Sequence, residues 1–228
     1  MKNWLCIVAF PLSAGYAGAV ISAAQLGQGA GPGGDVRHLE QDAVCTGGIR
    51  AVAAATGQYR VQVDADPENN AEQISQLVDW HPLIVIGRIG SSRSWLTGDC
   101  EYVVTDYRVA VETTLKGREA REITVSILGG RVSFEDGTTA TVTSTMPAPV
   151  NGERYALFLR PTFYPVTPAQ RQASVGPIYT LQHLALGVFQ LDAGRVQPRA
   201  RPDHPLRKAV DNMSEQEFIA LINRILGR

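Results

Sequence analysis

Apolar and polar residues alternate with a period of two through the middle of the chain. From Tyr102 to Leu115, Val103, Tyr107, Val109, Val111 and Leu115 fall on one side, and Asp106, Arg108, Glu112 and Thr114 on the other. Successive side chains of a strand point to opposite faces, so this stretch predicts a long strand with one dry and one wet face. Ile123, Val125 and Ile127 alternate in the same way with Glu122, Thr124 and Ser126. Leu83 to Ile86 and Tyr155 to Leu159 are continuous apolar runs, as strands buried on both faces are. Gly87 interrupts the first run and predicts a bulge or bend. Ser91 to Ser94 read as a polar loop. Lys116-Gly117, Gly129-Gly130 and Asn151-Gly152 mark turns. Asp136-Gly137, set between Val132–Glu135 and Thr139–Thr143, predicts a hairpin with a type I′ turn. Ile178 to Leu181 and Leu186 to Leu191 supply one or two further strands. Short strands in succession, joined by tight turns, predict a mainly β fold closed as an antiparallel barrel.

The period changes near the two ends of this region. Ala71, Ile74, Leu77 and Val78 make an apolar stripe at helical spacing. Asn70 stands where an N-cap would, with Gln73 completing a capping box. Proline disfavours helical backbone at the residue before it, so the helix should stop at Trp80-His81-Pro82. A second helix closes the chain. Ser214 and Glu217 form its capping box, Met213 and Phe218 its hydrophobic staple, and Phe218, Leu221, Ile222 and Ile225 its buried stripe; Gly227 ends it. Between Asp35 and Asp66 the only clear period is a weak strand, Tyr59 to Val63. Pro161 to Pro177 reads as a proline-containing loop, and Arg195 to Lys208 as a basic, extended surface segment.

Composition narrows the setting. The chain has 228 residues, 21 basic against 22 acidic, for a formal net charge of -1. Nothing in that balance suits capture of nucleic acid or of an anionic membrane. Lys2, the apolar run from Trp4 to Phe10 and the small residues Ser22-Ala23-Ala24 have the order of a secretion signal over residues 1–24. Residues 25–34, QLGQGAGPGG, form a glycine-rich linker. A single domain over residues 35–228 follows, with an N-terminal extension and the C-terminal helix. The expected location is periplasmic or extracellular, with no membrane attachment once the signal is cleaved; an uncleaved anchor is the alternative. Cys6 lies in the signal, which leaves Cys45 and Cys100. Two cysteines in an exported chain predict one disulfide. The loop between them is long, and the chain-entropy model assigns such a bridge about 4 kcal/mol.

A helix running into "VIGRI", a long strand ending in "LKG", then "ITVSILGG" and "NGERYALFL", together resemble a group of largely uncharacterised exported bacterial proteins. The likeness covers residues 72–160, and the closing "SEQEFIALINRI" helix shares it. The strand order is similar to the OB-like barrels of netrin and metalloproteinase-inhibitor modules. That resemblance implies an OB-like barrel, with one short helix before the first strand and one at the C-terminus. OB-type barrels bind partners on their surface or loops. The inhibitor branch opens its mature chain on cysteines that occupy a metal site; Gln25 stands there in this sequence.

Candidate chemistry is sparse. His38, His81, His183 and His204 are far apart, without metal-site spacing. Asp64, Asp66 and Glu68 lack the glycine and the terminal glutamate of a calcium loop, and suit a helix N-terminus. No G-x-S-x-G elbow is present. Cys100 has no basic neighbour in sequence to activate it. The basic run Arg195, Arg199, Arg201, Arg207 and Lys208 lacks interleaved aromatics. Phe163, Tyr164 and Arg171, in one loop, have the composition of a contact surface. The expectation is a non-enzymatic exported module, without cofactor or metal, binding a protein, glycan or small ligand through barrel loops. The alternatives are an exported hydrolase-like enzyme assembled from distant residues such as Cys100 and His183, and a protease inhibitor by fold analogy.

Overall fold

Glycines and bulges let two long strands organise everything else. The structure, a computed structural model, describes residues 47–63, 71–181 and 186–228. The expected signal and linker, Cys45, His38, the acids Asp64 to Glu68, Asn70 and His183 lie outside the described residues. Among the described residues the order is α1 (Gly48–Thr56), β1 (Gln58–Val63), α2 (Ile74–Trp80), β2 (Leu83–Leu96), β3 (Val103–Lys116), β4 (Glu122–Leu128), β5 (Gly130–Ser133), β6 (Thr139–Ser144), β7 (Arg154–Pro161), α3 (Pro168–Ala173), β8 (Ile178–Thr180), β9 (Val188–Asp192), β10 (Arg195–Pro198), α4 (Pro205–Val210) and α5 (Glu215–Ile225). The fold is mainly β, built as two mixed sheets.

The larger sheet runs β10-β9-β7-β2-β3-β4-β8, and β8 also pairs with β7. The pairings β2–β3–β4–β8–β7–β2 therefore return on themselves. Expectation and structure differ in sense: β4 and β8 run parallel, as do β1 and β6 in the smaller sheet β1-β6-β5, so neither sheet is wholly antiparallel. β8 runs antiparallel to β7, and a closed circuit of five strands cannot alternate in direction throughout, so its remaining pair, β4 with β8, is parallel.

β2 continues through Gly87 to Leu96, and Ser91 to Ser94 belong to it, not to a loop. Its register against β3 shifts at Ile84/Val85, Ile86/Gly87 and Ile89/Ser92. A side chain at Gly87 would press on Val109 Cγ1 at 2.7 Å and Ala110 O at 2.8 Å, so the bend requires glycine. The coiled ladder sends side chains into separate cores. Val85, Ile89, Tyr107, Val109, Ile123, Val125, Tyr155 and Leu157 pack together from four strands of the circuit. Ile84, Ile86, Leu115 and Phe158 face the other way, against Leu77, Leu206, Phe218 and Ile222 of the helices. A third cluster joins Ile49 and Ala53 of α1 to Leu96, Val103, Phe134 and Val142.

The C-terminal helix matches its sequence signals. Ser214 and Glu217 form the capping box, Phe218 and Ile222 are fully buried, and Met213 packs on the same cluster. Phe158, Phe189 and Phe218 stack in a row with centroids 5.4 and 5.0 Å apart. Arg154 grips Glu215 through both terminal nitrogens at 2.9 Å and Glu112 through Nε at 2.8 Å, tying the helix start to β3 and β7.

Three local expectations need correction. The first predicted helix is capped by Gln73 with Gln76, not by Asn70 with Gln73. Gln76 Oε1 accepts from both the Glu72 and Gln73 N–H groups, which a cap three residues earlier would not allow. The Asp136-Gly137 turn has positive φ only at Gly137, closed by the Gly137 N–H to Phe134 O and the Phe134 N–H to Thr138 O. It is a longer loop than type I′. Arg195 to Lys208 is not an extended surface run: it forms β10 and the start of α4, and buries Val196, Ala200 and Leu206. Its arginines mask a sparse apolar pattern, and Pro205 fits the first turn of the helix, where no donor is needed.

Two substitutions test this architecture by urea unfolding. Gly130 has φ +130° and sits where a Cβ would collide with the hydroxyls of Ser94 and Thr105. Gly130→Ala is expected to cost about 2 kcal/mol or more. Phe218→Ala should cost about 3–5 kcal/mol. An unchanged midpoint in either would contradict the packing described.

Candidate aromatic rim and buried polar pin

Two chain segments meet beside the outer face of β3 and β4. One is the turn from Thr97 to Tyr102. Its ends are joined by the Thr97 N–H to Tyr102 O at 2.9 Å and the Tyr102 N–H to Thr97 Oγ1 at 3.0 Å. Asp99 Oδ1 accepts from the Glu101 N–H, and Cys100 takes φ +64°. The other is the crossover from Thr162 to Pro177, where Pro161 ends β7. Thr167 caps α3 by accepting from the Gln170 N–H, and Pro168 fits the first turn because that position needs no donor. The Gly98 N–H donates to Pro165 O at 2.8 Å and stitches the segments together.

This junction lines up three rings. Phe163 and Tyr164 lie 4.4 Å apart, and Tyr164 lies 5.6 Å from Tyr102. Tyr164 is 8% exposed, whereas Phe163 is 66% and Tyr102 41% exposed. Beneath Tyr164 sit Trp95 and Val104, with Leu128 and Ala169 against them, and the Arg93 guanidinium covers the Trp95 ring at 4.2 Å. Burial pushes the Tyr164 hydroxyl up to about 12, with the neighbouring Tyr102 adding to it, so it stays protonated at ordinary pH.

The three loop residues singled out in the sequence thus have different fates. Phe163 is exposed and Tyr164 is a packed support. Arg171 is exposed in the last turn of α3, with no cation–π contact to either ring among the described residues. Tyr102, Trp95 and Arg93 complete the cluster and were missed. Their signal was weak: Trp95 and Tyr102 flank a turn, and tertiary contacts such as the Gly98–Pro165 bond bring that turn to the crossover.

Next to the rim lies a buried polar cluster. Alternation places Asp106 on the wet face, yet it is 8% exposed because α3 lies over it. Asp106 accepts from Ser126 Oγ and from Gln170 Nε2, the latter at 3.2 and 3.0 Å to its two oxygens. Desolvation raises the Asp106 pKa above the ordinary carboxylate value, and the Ser126 and Gln170 hydrogen bonds pull partly against it.

The other candidate groups stand apart. His81 is buried, its Nδ1 2.8 Å from Leu77 O and its ring edge-on to Phe158. His204 caps α4 through Nδ1. Arg195 and Arg207 donate to the carbonyls of Asn212 and Ala200, and Arg199 to Gln190 and the Tyr155 hydroxyl, so much of the basic run is engaged in structure. Among the described residues no group of three or more His, Cys, Asp or Glu side chains converges to hold a metal. No described helix is long and apolar enough to cross a membrane. No protein-family model, curated protein or solved structure matches the chain.

The difference between Phe163 and Tyr164 is measurable. Tyr164→Ala empties a buried site and should lower stability by about 3 kcal/mol. Phe163→Ala removes an exposed ring and should stay within about 0.5 kcal/mol. Equal losses in urea unfolding would mean that both rings serve packing alone.

Proposed function

We propose that this chain is an exported binding module that takes its ligand on the rim formed by Tyr102, Phe163 and Tyr164. The observation carrying this reading is the stack itself: a 66% exposed phenylalanine held 4.4 Å from a buried tyrosine, with a second exposed ring beside it. Exposed rings contribute little to stability, but fixed in place they bind at low entropic cost.

The circuit of pairings supports an OB-type barrel. In chain order its strands are β2, β3, β4, β7 and β8. The loop after the first is the Thr97–Tyr102 turn, and the connection between fourth and fifth is the Thr162–Pro177 segment. These are the two loops, and β3–β4 the face, through which OB-type barrels bind oligonucleotides and oligosaccharides. A net charge of -1 disfavours the polyanion, and flat aromatic faces suit a sugar ring. A glycan is therefore the first ligand class to test, ahead of a protein or another small ligand.

Export also accounts for the cysteines. Ile49 donates its N–H to Cys100 O at 3.0 Å, and a Cβ on Gly48 would lie 3.4 Å from Cys100 Cβ. Cys45 is three residues before Gly48, so its Cα falls within about 11 Å of Gly48 along the chain, from which a disulfide is in reach. We therefore pair Cys45 with Cys100.

Both parts can be checked on mature protein. In oligosaccharide and peptide panels read by intrinsic fluorescence, a bound ligand should lose about tenfold in affinity, or about 1.4 kcal/mol, in the Tyr102→Ala/Phe163→Ala double variant, with melting unchanged. Equal affinity in the variant, or turnover of a panel compound, would overturn the reading. Non-reducing peptide mapping should recover Cys45 joined to Cys100, and alkylation of native protein should label neither.

A further inference from the structure

The crossover from Thr162 to Pro177 lies over the outer face of β3 and β4, and its central attachment is polar. Of the six residues of α3, only Gln170 is buried, and it is 1% exposed. Its amide nitrogen donates to both oxygens of Asp106, which also accepts from Ser126 Oγ. Gln170 Oε1 is enclosed as well, yet has no hydrogen-bond partner among the described residues. A second polar tie follows five residues on: Val175 N–H donates to Thr124 Oγ1 at 2.8 Å, and Thr124 Oγ1 donates to Val175 O at 3.1 Å. A helix this short has little stability of its own. Its one buried side chain is held by a buried carboxylate.

The charged and titratable groups around that carboxylate do not neutralise it. From β2, Arg93 is the register partner of Asp106, and its guanidinium covers the Trp95 ring. From β3 itself, Arg108 is exposed and bonded to Glu122 of β4. β4 otherwise presents Ser126 and Thr124. From the crossover, Arg171 is exposed and Tyr164 stays protonated. Among the described residues Asp106 forms no ion pair.

We propose that Asp106 is a proton-operated latch: the neutral acid holds the crossover against β3 and β4, and the ionised acid loosens it. Ionisation leaves an unpaired charge in a desolvated site, whereas the neutral carboxyl, once the amide turns, can donate to Gln170 Oε1, the acceptor that otherwise lacks a partner. Releasing the crossover returns Asp106 to water and its ordinary pKa. The raised value in the closed form fixes the sign: closure is strongest below the ordinary aspartate range and weakens as pH rises through the closed-state pKa. The crossover carries Phe163 and Tyr164, so the same proton would govern how firmly the rim is held. This latch does not depend on what the rim binds.

Amide hydrogen exchange of the full mature chain tests it. The reporters are the N–H groups of Arg171, Ser174 and Val175, which donate to Thr167 O, Gln170 O and Thr124 Oγ1. After correction for intrinsic exchange, their protection should fall as pH rises from the ordinary aspartate range through the raised closed-state value, by at most tenfold per pH unit for one proton. Amides of the β3–β4 ladder should not follow. Asp106→Asn should abolish the slope. Ser126→Ala removes a donor to the ionised form, so it should extend the fall to higher pH; it also serves as the test if Asp106→Asn does not fold. Flat protection in the parent, an unchanged slope in Asp106→Asn, a fall that levels off at the same pH in Ser126→Ala as in the parent, or an equal slope across the β3–β4 ladder would overturn the latch.

Discussion

Two paired strands of 14 residues cannot lie flat and still bury both faces at one end and one face at the other. β2 and β3 meet this by coiling, with three register shifts along their length and a glycine where the backbones press closest. The coil sets the rest of the molecule. It brings β7 and β4 to opposite edges of the same ladder, and β8 then spans the gap between them. It also rotates the far end of β3, so that Leu115 joins the helix-covered core while Tyr107 and Val109 stay with the inner one. A flat pair would leave α5 no apolar surface to dock on, and the row Phe158–Phe189–Phe218 would have no base.

Strong local signals were legible wherever one physical rule acted alone. The capping box at Ser214 and the stripe at Phe218 and Ile222 describe α5 correctly, since both follow from helix geometry and need no tertiary help. Tyr155 to Leu159, apolar on both faces, proved to be a strand with neighbours on both sides. Legibility failed where tertiary contacts overrode the local pattern. Ser91 to Ser94 have loop chemistry but complete a strand because β3 offers partners for the ladder. Arg195 to Lys208 hid Val196, Ala200 and Leu206 among arginines, and only their burial shows that the segment crosses a core.

The rim was half legible for the same reason. Aromatic composition picked out Phe163 and Tyr164, but composition carries no distances, so Arg171 was grouped with rings it does not meet. Tyr102 and Trp95 lie more than 60 positions away and join the site through long-range contacts, the Gly98 to Pro165 hydrogen bond and packing on Tyr164. Asp106 was misplaced by the very regularity that made β3 easy to recognise. Period two reports which side of a strand a residue occupies; it does not report whether a later segment returns to cover that side.

That return places two requirements on one short stretch of chain. The Thr162–Pro177 crossover must present Phe163 to solvent, and it must also seal the outer face of β3 and β4. An apolar seal would have been simpler, since a leucine at 170 over an alanine at 106 would avoid desolvating a carboxylate and leave no buried amide oxygen unpaired. The actual seal is apolar only at its Trp95–Tyr164 end and polar at its Asp106–Gln170 end. The two ends therefore respond to different conditions: the ring cluster is indifferent to protons over the range in which a buried carboxyl titrates. A segment hinged on rings and pinned by a carboxylate is held by two contacts of unlike chemistry, and the proposed latch acts on the rim only through the polar one.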